Sequence, residues 1–471
     1  MAAVLTELRR NPIRAPWTFA AGVLLVAVAL LLGWGAWVLG LAIFIPTAIA
    51  VTQRPQLGVV IFSALLPFDG MLRALGPSWT NPWKQAAILG LLVLTFVCPP
   101  VARAQVRRKL PSWTIAFGAL VVLGVASTVL VDRNTALVGL RLSFFSALIA
   151  LTVWRCPLSR RERDHLVTVF VTLGIITSIV GLWQQVVGHE YLHSLGYAYG
   201  DNIRFTTGFT VRSFSTFNLP FPFGFYLMLV ILIALPMSIA DPHRLRSKIF
   251  FISLPVLASG LLFSFVRGAM LGLAVGLLYL TFHRYKMLVY GIPIVLLAAL
   301  FIPTGANVSK AVFSSESLQD RTLSWSDRFD RFADNPLGTG IGTTGAAAEK
   351  AAKLNFQDPN ATYVPDNSWL KVMFELGIIG LWLFVVMLIS IFLFARAVER
   401  RCAGIDRDFV NGVVAQILAV MTASLVATYL ELAPMDQLFW LMLGAIATIA
   451  PDLAAEPPVA GEAARALDTR S

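Results

Sequence analysis

Four arginines and one carboxylate stand where a largely apolar chain turns polar: Arg212, Arg267, Arg321, Arg328 and Asp366. A guanidinium is planar, always charged, and grips phosphate oxygens in bidentate fashion. Several of them beside a lipid boundary suit the pyrophosphate of a polyprenyl-linked substrate whose tail stays in the bilayer. The competing role is snorkelling or pairing with Asp320, Asp327, Asp330 or Asp334. Arg212 and Arg267 sit at the edges of apolar runs with few acids nearby, which favours binding. Acids flank Arg321 and Arg328, so both roles stay open for them.

Asp366-Asn367-Ser368 opens an apolar run. Any of the three suits a helix N-cap, because the side chain accepts a backbone N–H. Asp366 would equally serve as a general base that takes a proton from an acceptor hydroxyl; composition alone favours the cap. Glu375 lies one to two turns further on and is either buried and hydrogen-bonded or part of a site, since a carboxylate facing lipid is costly. Arg141, inside another apolar run, has the same standing, with no partner evident. Ser324-Trp325-Ser326-Asp327 has capping-box spacing, and Trp325, Phe329 and Phe332 then make one apolar stripe beside Arg328 and Arg331. A second short helix is expected over 346–354. His189 and His193 lack a third ligand at metal spacing, and no metal site or cofactor is predicted. The glycines of 336–342 lack a P-loop lysine and a strand–turn–helix setting, so a tight turn accounts for them.

These residues need a frame. The chain has 471 residues, 57% of them hydrophobic and 13% charged. Such a composition excludes a soluble globular domain and predicts an all-α polytopic membrane protein with about 12–14 transmembrane helices. The expected spans are 17–32, 34–52, 56–68, 84–98, 112–131, 136–154, 165–188, 218–240, 248–266, 268–283, 287–303, 367–395, 410–430 and 434–450. The chain thus divides into N-terminal helices (1–188), a first extracytoplasmic loop (189–217), central helices (218–303), a long extracytoplasmic loop with short helices (304–366), C-terminal helices (367–450) and a disordered tail (451–471). The net charge of +11 resides mainly in short loops, which argues against nucleic acid. Basic residues such as Arg103, Arg107, Arg160, Arg161, Arg244, Arg246, Arg284, Arg400 and Arg401 alternate with poorly charged loops, so both termini are expected in the cytoplasm. The first apolar run follows Arg9, Arg10 and Arg14 without a cleavage site and reads as a retained helix. Cys98, Cys156 and Cys402 fall at cytoplasmic span ends, away from any disulfide-forming compartment.

In order along the chain stand Arg212 with Phe217-Asn218-Leu219-Pro220-Phe221-Pro222-Phe223-Gly224, Ser264-Phe265-Val266-Arg267-Gly268, Arg321-Thr322-Leu323-Ser324-Trp325 leading to Asn335-Pro336-Leu337-Gly338-Thr339-Gly340-Ile341-Gly342, and Asp366-Asn367-Ser368-Trp369-Leu370 with Glu375-Leu376-Gly377. This series resembles the bacterial O-antigen ligase and O-antigen polymerase superfamily over about 206–381. The resemblance implies a metal-independent, inverting membrane glycosyltransferase of the GT-C type. It would move a glycan from an undecaprenyl-pyrophosphate carrier to an acceptor hydroxyl on the outer face of the cytoplasmic membrane. Arg212, Arg267 and Asp366 would be catalytic, and Arg321, Trp325, Arg328, Asn367 and Glu375 would hold pyrophosphate or glycan. Lipopolysaccharide-core ligases carry a histidine where this chain has Asp366, which is more like the polymerases. Chain-length or flippase proteins are partners the resemblance implies. The competing classes are a flippase for lipid-linked sugars and another lipid-linked glycosyltransferase. A flippase would be expected to show a repeat and charges lining a central cavity, and neither is visible.

Overall fold

The computed structural model describes residues 47–75, 82–97, 110–194, 212–290, 335–356, 365 and 367–449. Two compact units divide the chain between Gly58 and Val59, and the functional residues below all lie in the second. Among the described residues every regular element is a helix. In order they are α1 (Pro55–Leu65), α2 (Asp69–Leu75), α3 (Trp83–Val97), α4 (Trp113–Ala126), α5 (Arg133–Phe144), α6 (Leu148–Arg155), α7 (Arg160–Ser194), α8 (Pro220–Ala240), α9 (Leu245–Ser264), α10 (Arg267–His283), α11 (Gly345–Leu354), α12 (Ser368–Arg401), α13 (Gly404–Ala423) and α14 (Met435–Ala447). Among the described residues, seven helical stretches are long and apolar enough to cross a bilayer, and three shorter apolar helices accompany them. The chain is a multi-pass membrane protein.

The centre is α8. Its sequence carries no charge and is apolar on every side, the pattern of a helix with no solvent face, and it is buried almost throughout. Helices α7, α9, α10 and α13 surround it. They approach closely because small residues lie at the crossings, as expected where lipid offers no hydrophobic drive between helices. A Cβ on Gly412 of α13 would stand 2.8 Å from the Ile233 Cα, and one on Gly272 of α10 would stand 2.9 Å from the Ala419 carbonyl oxygen.

Two of the expected spans are interrupted. The 136–154 run folds as α5 and α6 joined by a 3-10 turn at Phe145–Ala147. The span beginning at 367 becomes α12, broken at Gly377 (φ 68°, ψ −166°). Helix α7 continues past its own break at Gly188 to Ser194, into the stretch assigned to a loop.

The ends of the bundle differ in charge. At one end, arginines that the sequence places in cytoplasmic loops pair with carboxylates: Arg163 with Asp406 (2.9 Å), Arg246 with Asp164 (2.6 Å), Arg284 with Asp408 (3.1 Å), and Arg396 with Glu399. Cys156 and Cys402 are buried. Burial, with Asp406 nearby, pushes the Cys402 thiol up to about 11. Arg212, Arg267, the 335–344 loop and the start of α12 lie at the opposite end.

The crossings make a direct prediction. Gly412→Leu forces the Ile233 backbone away and is expected to cost about 1–3 kcal/mol or more, as overpacking does. Gly118→Ala in α4, where an added Cβ meets nothing within 4 Å, should be neutral or stabilise by up to about 1 kcal/mol. Thermal unfolding of both variants in one detergent checks the contrast.

Candidate functional site

The site begins with a buried stretch of non-helical chain, 212–219. Inside an apolar bundle every backbone polar group of such a stretch needs a protein partner. Gln184 of α7 supplies three of them. Its Oε1 accepts from the N–H groups of Phe214 (3.1 Å) and Ser215 (2.8 Å), and its Nε2 donates to the Ser215 carbonyl (2.8 Å). Ser213 donates its N–H to the Phe263 carbonyl (2.9 Å) and its hydroxyl to the Gly181 carbonyl (2.6 Å). The Ser215 hydroxyl donates to Thr177, and the Thr216 hydroxyl to Pro67. Polar side chains that suggest an exposed loop in the sequence therefore point inward and stitch the segment to α7 and α9.

This stitching fixes Arg212. Its guanidinium donates from Nε to the Ser264 carbonyl and from Nη2 to the Phe265 carbonyl, both at 3.4 Å, and lies 5.0 Å from the Phe221 ring centre. Phe265 ends α9 in the left-handed region (φ 53°), and Val266 leads directly into α10, whose first residue is Arg267. The tight turn brings the two charges within interaction range. Burial, and then the charge of Arg267, lower the Arg212 pKa to about 10. An anion between the two would relieve that repulsion.

The second part of the site is the start of α12. Asn367 is the N-cap: its side-chain oxygen accepts from the Leu370 N–H at 2.7 Å. Ser368 donates its N–H to the Ser424 carbonyl (3.0 Å) and its hydroxyl to the Ala427 carbonyl (3.2 Å). Val426, in the same 424–427 segment, packs against Gly268 beside Arg267. One irregular segment thus joins the Arg212–Arg267 turn to the mouth of α12. Asp366 itself, with Arg321, Trp325 and Arg328, lies outside the described residues.

Glu375 is buried and belongs to an ionic cluster. Lys371 Nζ reaches Glu375 Oε2 at 2.9 Å and Glu431 Oε1 at 2.5 Å. The Thr344 N–H and hydroxyl donate to Glu375 Oε1 at 3.1 and 2.9 Å, and Ser143 of α5 donates to Glu431 at 3.0 Å. The i, i+4 spacing of Lys371 and Glu375 was a legible hint; Glu431 lay far along the chain with no local sign of its role. The cluster borders a small cavity of about 60 Å³ between α4 and α12.

The glycine-rich stretch is more than a tight turn. It is a strap threaded between α12 and the α4–α5 pair. The Gly340 N–H donates to the Glu375 carbonyl, Thr339 N–H to the Phe374 carbonyl, and Ile378 N–H to the Pro336 carbonyl. These bonds occupy backbone groups released where α12 breaks at Gly377. A Cβ at Gly338 would stand 2.5 Å from the Glu375 carbonyl oxygen, and one at Gly342 2.5 Å from that of Thr135. Helix α11 follows the strap, one residue earlier than the sequence suggests, and packs on α5. Asn355 at its end bonds Asn134 (2.7 Å) and Asp132 (3.1 Å). Asp132 caps α5, and its bonds to Thr135, then those to Asn355 and Asn134, hold its pKa down to about 2.

Other functional-end charges lie apart from this set. Asp69, buried, binds Lys84 at 2.7 Å, the Trp83 indole at 3.0 Å and Arg73 at 3.2 Å, which seats α2 on α3.

Two outcomes follow. Lys371→Met leaves two carboxylates without their ammonium and is expected to cost about 3–5 kcal/mol, as breaking a buried pair does; adding Glu375→Gln should recover part of that loss in thermal unfolding. Asp132 has a depressed folded-state pKa, so its contribution is complete above about pH 4 and is lost as pH falls toward 2. Asp132→Asn keeps the cap without the charge. Its melting temperature should fall less than that of the wild type across that window.

Residues 251–385 match a family described as O-antigen ligase. The matched stretch starts within α9 and ends within α12. It includes Arg267, the strap, Asn367, Lys371 and Glu375, and leaves out Arg212 and Glu431. No curated protein matches the chain.

Proposed function

We propose that this chain, a member of the O-antigen ligase superfamily through residues 251–385, transfers a glycan from an undecaprenyl-pyrophosphate carrier to an acceptor hydroxyl. The observation that carries the reading is Arg212, whose guanidinium donates to the Ser264 and Phe265 carbonyls of the turn that leads into Arg267, with the two charges close enough to repel. Pyrophosphate is an anion that two such fixed charges favour. The functional end faces the extracytoplasmic side of the cytoplasmic membrane, because the opposite end carries the arginine-rich loops expected inside.

In the reaction the bond between the anomeric carbon and the pyrophosphate oxygen breaks, and the electron pair leaves with undecaprenyl pyrophosphate. Arg212 and Arg267 stabilise the charge that grows on that oxygen, an effect strongest in a site with little water. The acceptor oxygen attacks from the opposite face of the sugar, giving inversion. Its proton passes to Asp366, beside the Asn367 cap. Arg321 and Arg328 extend the anion site, and Trp325 supports the glycan. Glu375 acts at one remove: it fixes the strap and, with Lys371, the first turns of α12 that set where Asp366 stands. The leaving group supplies the driving force, so neither a nucleotide nor a metal is required.

The test uses the purified chain in nanodiscs with a synthetic undecaprenyl-pyrophosphate oligosaccharide and a native glycolipid extract. Wild-type protein should release carrier and build product, with EDTA present or absent. Arg212→Ala or Arg267→Ala should lower kcat/KM about 100- to 1000-fold, and Asp366→Asn about 100-fold or more. A product ladder identifies a polymerase, and a single-step product a ligase. Lipid-linked sugar that crosses a vesicle membrane with no carrier released would overturn the reading in favour of a flippase.

A further inference from the structure

Ser146, Asp436 and Gln437 have no place in the machinery above, and they meet where two spans are broken. The α5–α6 span opens into a 3-10 turn at Phe145–Ala147. That turn lies about 20 Å along the span from Arg133, deep in a ~30 Å hydrocarbon core. Helix α14 packs on the turn and on α6. It begins only at Met435, after the largely irregular segment 424–434. Breaks inside a membrane bundle persist where protein meets the freed groups or where they line a site.

The three side chains are 5%, 3% and 3% exposed. The Ser146 hydroxyl donates to Asp436 Oδ2, and Gln437 Nε2 donates to the same carboxylate oxygen (3.0 Å) and to the Ser146 oxygen (3.2 Å). These bonds exhaust the side-chain donors of the trio. Among the described residues, Asp436 Oδ1 and the Gln437 amide oxygen Oε1 accept nothing. Both orphans are acceptors. The amide that carries Oε1 is anchored to the carboxylate through its own nitrogen, so the two oxygens belong to one place.

No lysine or arginine among the described residues pairs with Asp436. Lys84, whose charge reaches it, is committed to Asp69 at 2.7 Å. A buried carboxylate with an unmet oxygen is costly, and two adjacent acceptors without a donor need a positive partner. Carboxylate and carbonyl oxygens suit hard cations. One carboxylate balances one positive charge, whereas a divalent ion would keep an uncompensated charge in an apolar setting. Interrupted helices that converge on such oxygens are a recurrent way for membrane proteins to hold sodium.

We propose that Asp436 Oδ1 and Gln437 Oε1, backed by Ser146, bind a sodium ion where the α5–α6 break meets α14. Ser143, one turn away on the same broken span, donates to Glu431 at 3.0 Å. Occupancy of the site therefore steadies the Lys371 cluster and, through it, the mouth of α12. The ion takes no part in the transfer chemistry, and the site stands or falls independently of the glycan-transfer reading.

Binding of radioactive sodium to the full chain in detergent, paired with thermal unfolding, tests it. Both are run at about pH 8, where a carboxylate is normally ionised, with N-methylglucamine chloride keeping ionic strength constant. The wild type should bind one sodium per chain saturably, and its melting temperature should rise with sodium. Asp436→Asn keeps the side-chain shape and should weaken sodium about 10- to 100-fold, the effect of losing a charged ligand. Gln437→Glu adds a second carboxylate and should admit calcium, which the wild type should not bind. No saturable sodium binding by the wild type sinks the proposal, and so does equal affinity in Asp436→Asn. A melting temperature that answers to pH through Asp436 but not to sodium also overturns it and makes Asp436 a proton site. If Asp436→Asn does not fold, Gln437→Glu decides: unchanged ion selectivity there removes the site.

Discussion

One ammonium holds the functional end together. Lys371 Nζ lies between Glu375 and Glu431, and those carboxylates tie three distant parts of the chain to it. Glu375 fixes the strap through Thr344, and Glu431 fixes the 424–431 segment and reaches Ser143. A buried charge without its partner is too costly to keep, so the two acids and the lysine can be buried only together. The consequence is geometric. The mouth of α12, the strap and α5 cannot shift independently without exposing or orphaning a charge. An enzyme that must align an acceptor hydroxyl with a phosphate-bound sugar gains from such rigidity, because small misplacements are expensive in rate.

The non-helical segments obey the same constraint in neutral form. A bilayer tolerates irregular backbone only where protein satisfies it. The 212–219 stretch is satisfied by Gln184, Gly181, Thr177 and Pro67, and the break at Gly377 by the strap. Both satisfy backbone at the expense of helix regularity, and both end beside a candidate functional residue: Arg212 in one case, Glu375 in the other. Irregularity here buys a position for a side chain that a continuous helix would point into lipid or into its own neighbour.

How far the sequence reaches follows from the range of the forces involved. Local signals were enough for the helical class, for α11 to within one residue, and for the α9–α10 turn that carries Arg267, because hydropathy and turn residues act over a few positions. Glu375 was legible as buried or functional from its cost in lipid. Its partner Glu431 was not, because their contact runs through Lys371 across 60 residues. The polar Ser213, Ser215 and Thr216 looked like exposed loop because composition alone does not reveal Gln184. The strap misled for another reason: Gly338, Gly340 and Gly342 all take the left-handed backbone that a simple turn would use, but what fixes them is the lack of space against α12, α4 and α5. Arg321, Trp325, Arg328 and Asp366 remain assignments from the sequence.

Charge compensation separates the two ends of the bundle. At the end expected to face the cytoplasm, Arg163, Arg246, Arg284 and Arg396 each have a carboxylate within salt-bridge reach, so their positive charge sets orientation without leaving a strong local site. At the functional end Arg73 and Lys84 pair with Asp69, and Lys371 with Glu375 and Glu431, while other cations are held differently. Arg212 donates to backbone carbonyls and stands beside Arg267, while Arg141 and Lys350 have no ion pair among the described residues. Carbonyl oxygens orient a guanidinium without neutralising it, which suits the anion-binding role proposed for Arg212. Arginine suits this use better than lysine, since the same environment that concentrates positive charge would strip a lysine of its proton, as the lowered Lys350 pKa shows in milder form. The fold therefore pairs its arginines with carboxylates where they anchor the chain, and seats Arg212 on backbone carbonyls at the turn proposed to hold a phosphate.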